Sequence, residues 1–103
     1  MARHLRYHPQ VADDLSAAID WYEARSTGLG WRFRAIVDAR FDDIARMPEV
    51  FPQAFDDADF RFARVPKFPY LVLFRIREQT VFLLGVFHSA TNPAKWRERA
   101  DSE

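Results

Sequence analysis

The stretch that decides the fold runs from residue 60 to residue 88 and reads FRFARVPKFPYLVLFRIREQTVFLLGVFH. Its content of Phe, Val, Leu and Ile is typical of β-strands. Residues 66–69 and the pair Glu78-Gln79 interrupt it, so we expect three strands, at about residues 60–65, 70–77 and 80–88. Both links are short, and the second suits a tight hairpin turn. The three strands should therefore run antiparallel.

Two runs of apolar residues at helical spacing precede these strands. The first begins after Pro9, which suits the first turn of a helix. The second begins after Gly28 and Gly30 and is limited by Pro48. The runs consist of Val11, Leu15, Ala18, Ile19 and Tyr22, and of Phe33, Ile36, Val37, Phe41, Ile44 and Met47. About five residues join them, so they predict an antiparallel helical hairpin.

The remaining segments complete the predicted architecture. Residues 3–7 are a short strand candidate, and residues 49–59 show no sustained period and are predicted to be a loop. Pro93 opens a short terminal helix that extends to about Arg99. We therefore expect a single α+β domain over residues 1–103 in the order β-α-α-β-β-β. The helical hairpin packs on an antiparallel sheet, and a short C-terminal helix follows.

The composition limits the chemistry available to the chain. Its 103 residues give room for one hydrophobic core, which ten Phe, three Trp and three Tyr can fill. The absence of cysteine excludes disulfides, thiolate metal sites and cysteine nucleophiles, and the three histidines lack metal-ligand spacing. We find no secretory signal run and no apolar stretch of about 20 residues, so we expect a soluble, cytoplasmic protein.

The formal net charge of zero hides a division along the chain. Residues 13–59 carry eleven acids against five arginines, whereas residues 60–99 carry eight bases against two glutamates. Such a division predicts one surface for an anionic partner and another that does not attract one. The alternative is that the two halves attract each other within the fold.

Strand alternation assigns the residues of the middle strand to two faces. Tyr70, Val72, Phe74 and Ile76 share one face, which is the natural floor for the helical hairpin. Leu71, Leu73, Arg75 and Arg77 share the other. A face that is half apolar and half arginine predicts a partner site if it is open. Alternatively, a loop or the terminal helix covers it. In the preceding strand Arg61 and Arg64 lie on opposite faces, so only one of them can share the face of Arg75 and Arg77.

Five pieces of sequence, in this order, resemble the RelE/ParE superfamily of toxins from type II toxin–antitoxin modules, and the ParE-like branch most strongly. They are DWYE (20–23), GLGWRF (28–33), IARMPE (44–49), KFPYLVLFRI (67–76), and VFH (86–88) followed by NPAKW (92–96). The resemblance covers about residues 5–99. One position departs from it, because relatives commonly carry an arginine just before the Asn-Pro pair and this chain has Thr91.

The resemblance implies a protein that inhibits growth by poisoning an essential bacterial process until a cognate antitoxin binds it. Such modules stabilise plasmids. In ParE-like members the target is DNA gyrase, and in RelE-like members it is mRNA on the ribosome. We therefore expect a hetero-oligomer with an antitoxin, whose acidic tail residues would meet Arg75 and Arg77. DNA gyrase is the expected target, and no membrane partner is expected.

A ribosome-dependent endoribonuclease is the alternative. Such an enzyme must hold a phosphate and move protons at both the attacking and the leaving oxygen. The candidates are His88 as acid or base, Arg75, Arg77 and Lys67 as phosphate ligands, and Glu49 as base. RelE-like nucleases tend to start the middle strand with a basic residue, and often end in Tyr or His. Here Tyr70 starts the strand and Asp-Ser-Glu ends the chain.

We therefore predict a binding protein without catalysis, cofactor or metal. A pure nucleic-acid binder is less favoured, because such proteins are usually basic overall, and we expect no direct sequence-specific nucleic-acid binding. The predicted partner-binding residues are Arg61, Arg64, Lys67, Tyr70, Leu71, Leu73, Arg75, Arg77 and His88.

Overall fold

The computed structural model describes residues 2–102. A first strand, β1 (His4–Tyr7), leads into a hairpin of two helices, α1 (Val11–Arg25) and α2 (Leu29–Arg46). A 3-10 turn (Pro48–Val50) follows, and the remaining elements are β2 (Gln53–Phe55), β3 (Asp57–Arg64), β4 (Tyr70–Arg77), β5 (Thr80–His88) and α3 (Pro93–Asp101). The predicted α+β class, with a helical hairpin, a sheet and a C-terminal helix, is confirmed, but the sheet has one strand more than predicted and is mixed rather than antiparallel.

The five strands form one sheet in the order β1-β5-β4-β3-β2. β1 runs parallel to β5, whereas the other neighbours are antiparallel, with Glu78 and Gln79 as the two-residue turn between β4 and β5. The loop predicted for residues 49–59 is wrong, because that segment holds the 3-10 turn, β2 and the start of β3. Arg61 Nη1 of β3 donates to the carbonyl oxygen of Phe51 at 2.6 Å, which helps to hold this segment against the sheet.

The link between α1 and α2 is held by a side chain of α1. The Glu23 carboxylate accepts hydrogen bonds from the backbone N–H groups of Gly28 at 2.7 Å and Gly30 at 2.9 Å. It therefore satisfies donors that the start of α2 leaves without helical partners. Gly30 also lies against α1, where an added Cβ would stand 2.5 Å from the carbonyl oxygen of Ile19. The hairpin thus depends on a glycine at this position.

The main core lies between the helical hairpin and one face of the sheet. Its completely buried members, each 0% exposed, are Phe33, Val37, Ile44, Ala63, Val72, Phe74, Val81 and Leu83. Tyr70 and Ile76 pack against this cluster from the same face of β4. The predicted floor of the hairpin is therefore confirmed.

The opposite sheet face, called the far face below, is partly covered by α3. Leu73 and Leu84 of the sheet form a second buried cluster with Phe60 and with Ala100 of α3, and Trp96 packs against it. Leu71 and Leu73 are 2% and 0% exposed. The prediction that these two leucines lie on an open face is wrong, and the alternative of a covering terminal helix is correct.

A largely buried ion pair fixes α3 to α1 and β5. Arg99 Nη1 donates to Asp14 Oδ2 at 2.7 Å and to the carbonyl oxygen of Leu84 at 3.0 Å, and the Val86 N–H donates to Asp14 Oδ2 at 3.0 Å. β1 pairs with β5 only from Thr80 to Leu83. Beyond that point Asp14 and Arg99 bind backbone groups of β5, so two distant acidic and basic residues replace a neighbouring strand.

Candidate functional site

A groove of about 620 Å³ opens between α1 and the end of the sheet where β4 begins and β5 ends. Ala17 and Ala18 of α1 line it, and their small side chains leave room beside the helix. Trp21 lies one turn further along α1, and the sheet contributes Tyr70 and His88. The site therefore consists of one helix face and one sheet end, both held by the rigid core.

Aromatic rings form the wall of the groove. The Tyr70 ring meets His88 at 5.2 Å and Tyr22 at 6.1 Å between centroids, and Tyr22 meets Trp21 at 5.1 Å. Phe33 of the core supports Tyr70 from behind at 5.0 Å. Trp21 is 51% exposed. Large aromatic rings that pack against the core on one side and are exposed to solvent on the other are common anchors of protein interfaces.

The polar side chains of the groove come from Asp14, Thr91, His88 and the two tyrosines. His88 Nδ1 accepts a hydrogen bond from the Ala90 N–H at 3.0 Å, so the neutral ring carries its proton on Nε2. Burial raises the pKa of the Tyr70 hydroxyl above its usual value. Burial, followed by the nearby Tyr70, does the same for the pKa of Tyr22. Both phenols therefore stay protonated at neutral pH and are poor bases.

The structure does not bring the nuclease candidates together. Tyr70 and His88 are cross-strand partners at one end of β4, whereas Arg75 and Arg77 lie five and seven residues along it, on the far face. At about 3.3 Å per residue these separations are roughly 17 and 23 Å. Glu49 lies at the opposite end from His88 as well, because Arg3 binds both Glu49 and the carbonyl oxygen of Glu78 in the β4–β5 turn.

Glu49 is also already engaged. Arg3 Nη1 donates to Glu49 Oε1 at 2.9 Å, and this hydrogen bond is the main cause that holds the pKa of the Glu49 carboxyl below its usual value. The carboxylate is thus an anion that is paired with a guanidinium. A general base needs a free lone pair beside the proton that it removes.

The other predicted basic residues divide between surfaces. Arg61 donates to backbone carbonyl oxygens on the hairpin side of the sheet, and Arg64 lies on the far face, 5.6 Å from the Phe62 ring centroid. Lys67 is exposed in the link between β3 and β4, with a positive φ of 68°. The nine residues predicted for partner binding therefore do not form one surface.

Comparison with known proteins identifies the family. The model of the family described as "ParE toxin of type II toxin-antitoxin system, parDE" matches residues 5–93. Toxin ParE2 of Mycobacterium tuberculosis is 31% identical over 94 residues, which cover 90% of this chain and 88% of that protein. The chain belongs to the ParE toxin family. It is thus a toxin of the type II toxin–antitoxin class, within the RelE/ParE superfamily.

Two solved structures share the fold of this ParE-family toxin. A chain of the chromosomal ParDE toxin–antitoxin system from P. aeruginosa gives a TM-score of 0.71 at 14% identity, over 84% of this chain and 96% of that one. A chain of the toxin–antitoxin complex RelBE2 from Mycobacterium tuberculosis gives 0.58 at 24% identity, over 85% and 99%. At these identities the likeness shows the fold alone.

Sequence reasoning missed most of the groove in this ParE-family toxin. Asp14, Ala17, Ala18 and Trp21 follow one another at helical spacing and share one face of α1. That spacing was the available signal, but an alanine next to a core residue looks like any other helix position. Among residues 2–102 no helix is long and apolar enough to cross a bilayer, and no group of three or more His, Asp or Glu side chains could hold a metal ion.

Proposed function

We propose that this ParE-family toxin inhibits DNA gyrase by binding it, performs no chemistry of its own, and is neutralised by an antitoxin. The family and the relative named Toxin ParE2 support the ParE-like branch. The solved relatives are toxin–antitoxin systems, which supports an antitoxin partner. Gyrase is the target expected for that branch.

One observation carries the choice of binding over catalysis. His88, the acid or base candidate that lines the groove, lies roughly 17 to 23 Å from Arg75 and Arg77 and on the other face of the sheet. The described residues that line the groove include no lysine or arginine. Thr91, where relatives commonly carry an arginine, is one of them. Arginine and lysine side chains are common stabilisers of the charge that develops on a phosphate during its cleavage.

The groove suits an apolar anchor from a protein partner. An aliphatic or aromatic side chain that entered between Trp21 and Tyr70 would lose its own hydration and would cover rings that are now wet. We propose that the apolar part of the antitoxin tail and the target compete for this groove. A tail that reaches Arg75 and Arg77 as well must use a separate segment, because those arginines lie on the far face.

Two assays with the purified protein test the proposal. With gyrase, ATP and supercoiled plasmid, we expect cleaved DNA to accumulate in proportion to the toxin. With translating ribosomes and a labelled mRNA, we expect the message to remain intact. Codon-specific cuts in the message, together with undisturbed gyrase, would overturn the proposal in favour of a ribosome-dependent endoribonuclease.

The antitoxin part of the proposal is tested separately in growing cells. Induction of the toxin alone should stop growth, whereas induction together with its antitoxin should not. Normal growth of cells that accumulate the folded toxin alone would contradict the toxin assignment for this chain.

A further inference from the structure

Two tyrosine hydroxyls in the groove have no hydrogen-bond partner among residues 2–102. They belong to Tyr22, which is only 8% exposed, and to Tyr70, which is partly buried. The Tyr22 side chain nevertheless lines the groove, and its hydroxyl is not completely buried. The fold therefore removes most of the water from this hydroxyl without pairing it, which costs stability. Such an unpaired group needs an explanation, and a ligand that accepts its hydrogen bond provides one.

His88 adds a third donor to the groove. Its Nδ1 accepts from the Ala90 N–H at 3.0 Å, so the neutral ring presents its N–H at Nε2. No group of residues 2–102 accepts from that nitrogen. The His88 ring lies 5.2 Å from the Tyr70 ring, which lies 6.1 Å from the Tyr22 ring, between centroids. Three uncharged donors, from α1, β4 and β5, therefore line the same groove.

The strong acceptors of the groove are already occupied. Asp14 is the one carboxylate among its described lining residues. Its Oδ2 accepts from the Val86 N–H and from Arg99 Nη1, and its Oδ1 accepts from Arg99 Nη2 at 3.0 Å. His88 Nδ1 is taken by the Ala90 N–H. An ammonium or carboxamide group would therefore find few acceptors for its N–H groups, whereas a carboxylate brings acceptors alone.

A carboxylate also suits the charge of the groove better than a phosphate does. The described lining holds no lysine or arginine, and a phosphate monoester carries nearly two negative charges at neutral pH. A carboxylate carries one charge, and its hydrogen bonds are roughly twice as strong as those between neutral groups. Beside the groove, the Arg25 guanidinium lies over the Trp21 ring, with Cζ 3.2 Å from the ring centroid. It adds positive potential there without lining the groove.

We propose that the groove binds a carboxylate of a protein partner, carried by an aspartate or glutamate that stands next to an apolar residue. The Tyr22 and Tyr70 hydroxyls and His88 Nε2 donate to the carboxylate oxygens, and the apolar neighbour packs against the aromatic wall. This inference rests on the proposed function, because it assigns the same groove to a protein partner and names the chemistry that this partner carries. It places the recognition of an acid in the groove rather than at Arg75 and Arg77.

The test compares three small probes that share one apolar body and differ in their head group. They are 3-phenylpropanoate, 3-phenylpropanamide and 3-phenylpropylammonium, titrated at neutral pH into the full-length protein. Chemical shifts of the Trp21 indole N–H and the Ala90 amide give each dissociation constant, and probes of this size bind in the millimolar range. We expect the acid to bind at least ~10-fold more tightly than the amide, and the ammonium to bind most weakly.

A double variant without the two hydroxyls locates the preference. Tyr22→Phe, Tyr70→Phe keeps both rings, so we expect its affinity for the acid to fall at least ~10-fold and its affinity for the amide to stay within about twofold. Tyr7→Phe, at a tyrosine that is 55% exposed and outside the groove lining, is the matched control and should leave all three affinities unchanged. Equal binding of acid and amide by the wild type, an unchanged acid preference in the double variant, or no binding of the acid at about 20 mM would overturn the proposal.

Urea unfolding of the double variant separates this role from a structural one. Because neither hydroxyl has a partner within residues 2–102, we expect the double variant to be at least as stable as the wild type. A clear loss of stability would show that the hydroxyls serve the fold instead. The probes involve neither gyrase nor antitoxin, so the two proposals fail separately. Acid preference without gyrase-dependent cleavage would contradict only the proposed target, and cleavage without acid preference would contradict only this inference.

Discussion

At the scale of single residues, two acids of α1 act as anchors although both look like ordinary solvated helix residues. Asp14 binds Arg99 and the Val86 N–H, and Glu23 binds the N–H groups that open α2. In each case one carboxylate of α1 accepts hydrogen bonds from donors that lie outside α1. We therefore expect each of these two acids to contribute to the free energy of unfolding, although nothing in the neighbouring sequence indicates this role.

Asp14→Asn should destabilise the protein by about 2–4 kcal/mol, because it leaves the Arg99 guanidinium largely buried and without its counter-charge. The two side chains are 14% and 13% exposed, so solvent offers little compensation. Urea unfolding measures the change. Asp13→Asn at the exposed neighbouring position is the control and should stay within about 0.5 kcal/mol. Equal effects of the two substitutions would contradict the anchor role.

Glu23→Ala should cost about 1–2 kcal/mol, which is the usual range for loss of a helix N-cap. The substitution removes both acceptors that hold Gly28 and Gly30. Amide hydrogen exchange would locate the effect, since these two N–H groups should lose protection first. Asp20→Ala, at an exposed position of the same helix, should change neither quantity. Undiminished protection of both amides in Glu23→Ala would be inconsistent with the cap.

The Arg3–Glu49 pair gives a pH dependence with a definite sign. Pairing with Arg3 lowers the pKa of the Glu49 carboxyl in the folded state. The pair therefore stabilises the protein above the ordinary carboxyl pKa of 4.5, and this stabilisation disappears as the pH falls through the lowered pKa. The stability difference between wild type and Arg3→Ala should therefore shrink as the pH falls from 7 to well below 4.5. An NMR titration should show the Glu49 pKa returning towards 4.5 in Arg3→Ala. An unchanged Glu49 pKa in that variant would disprove the pairing.

At the scale of elements, the sequence predicted what local patterns encode and missed what distant residues impose. The three long strands and the two helices of the hairpin were predicted from the spacing of apolar residues, and the two faces of β4 were predicted from strand alternation. The short strand β2 does not, because an arginine from β3 holds that segment in place. The sequence left the cover over Leu71 and Leu73 as an alternative and could not decide it, since α3 is anchored through Asp14, 85 residues before Arg99.

The same division holds for the candidate site. Tyr70 and His88 were predicted from strand ends and family resemblance, and both line the groove. Ala17 and Ala18 were not, because the value of a small side chain depends on what stands opposite it. The nine residues predicted for partner binding do not lie on one surface, because five residues along β4 separate Tyr70 from Arg75 by roughly 17 Å and place them on opposite faces.

Gly30→Ala distinguishes helix propensity from packing. Propensity alone would make alanine more favourable by about 1 kcal/mol. The new Cβ would stand 2.5 Å from the Ile19 carbonyl oxygen, however, so the two helices must move apart. We expect a net loss of about 1–3 kcal/mol in urea unfolding. Ser16→Ala, at an exposed position of α1, is the control and should be near neutral. A gain in stability from Gly30→Ala would show that the helices separate freely.

At the scale of the whole molecule, the toxin presents two different surfaces. The groove beside α1 is aromatic and has no lysine or arginine in its described lining, whereas the far face carries the arginines. The hairpin covers one side of the sheet between them, and α3 partly covers the other side. The arginines of the far face are therefore not among the described residues that line the groove.

The most direct test of the central claim, inhibition by binding through the groove, is gyrase-dependent plasmid cleavage titrated with two tryptophan variants of α1. Ala17→Trp fills the groove, and Ala24→Trp places the same side chain at another exposed position of the helix. We expect Ala24→Trp to match the wild type, and Ala17→Trp to need at least ~10-fold more protein, as for loss of a central interface contact. Equal potency of all three proteins, or no cleavage by any of them, would contradict the account.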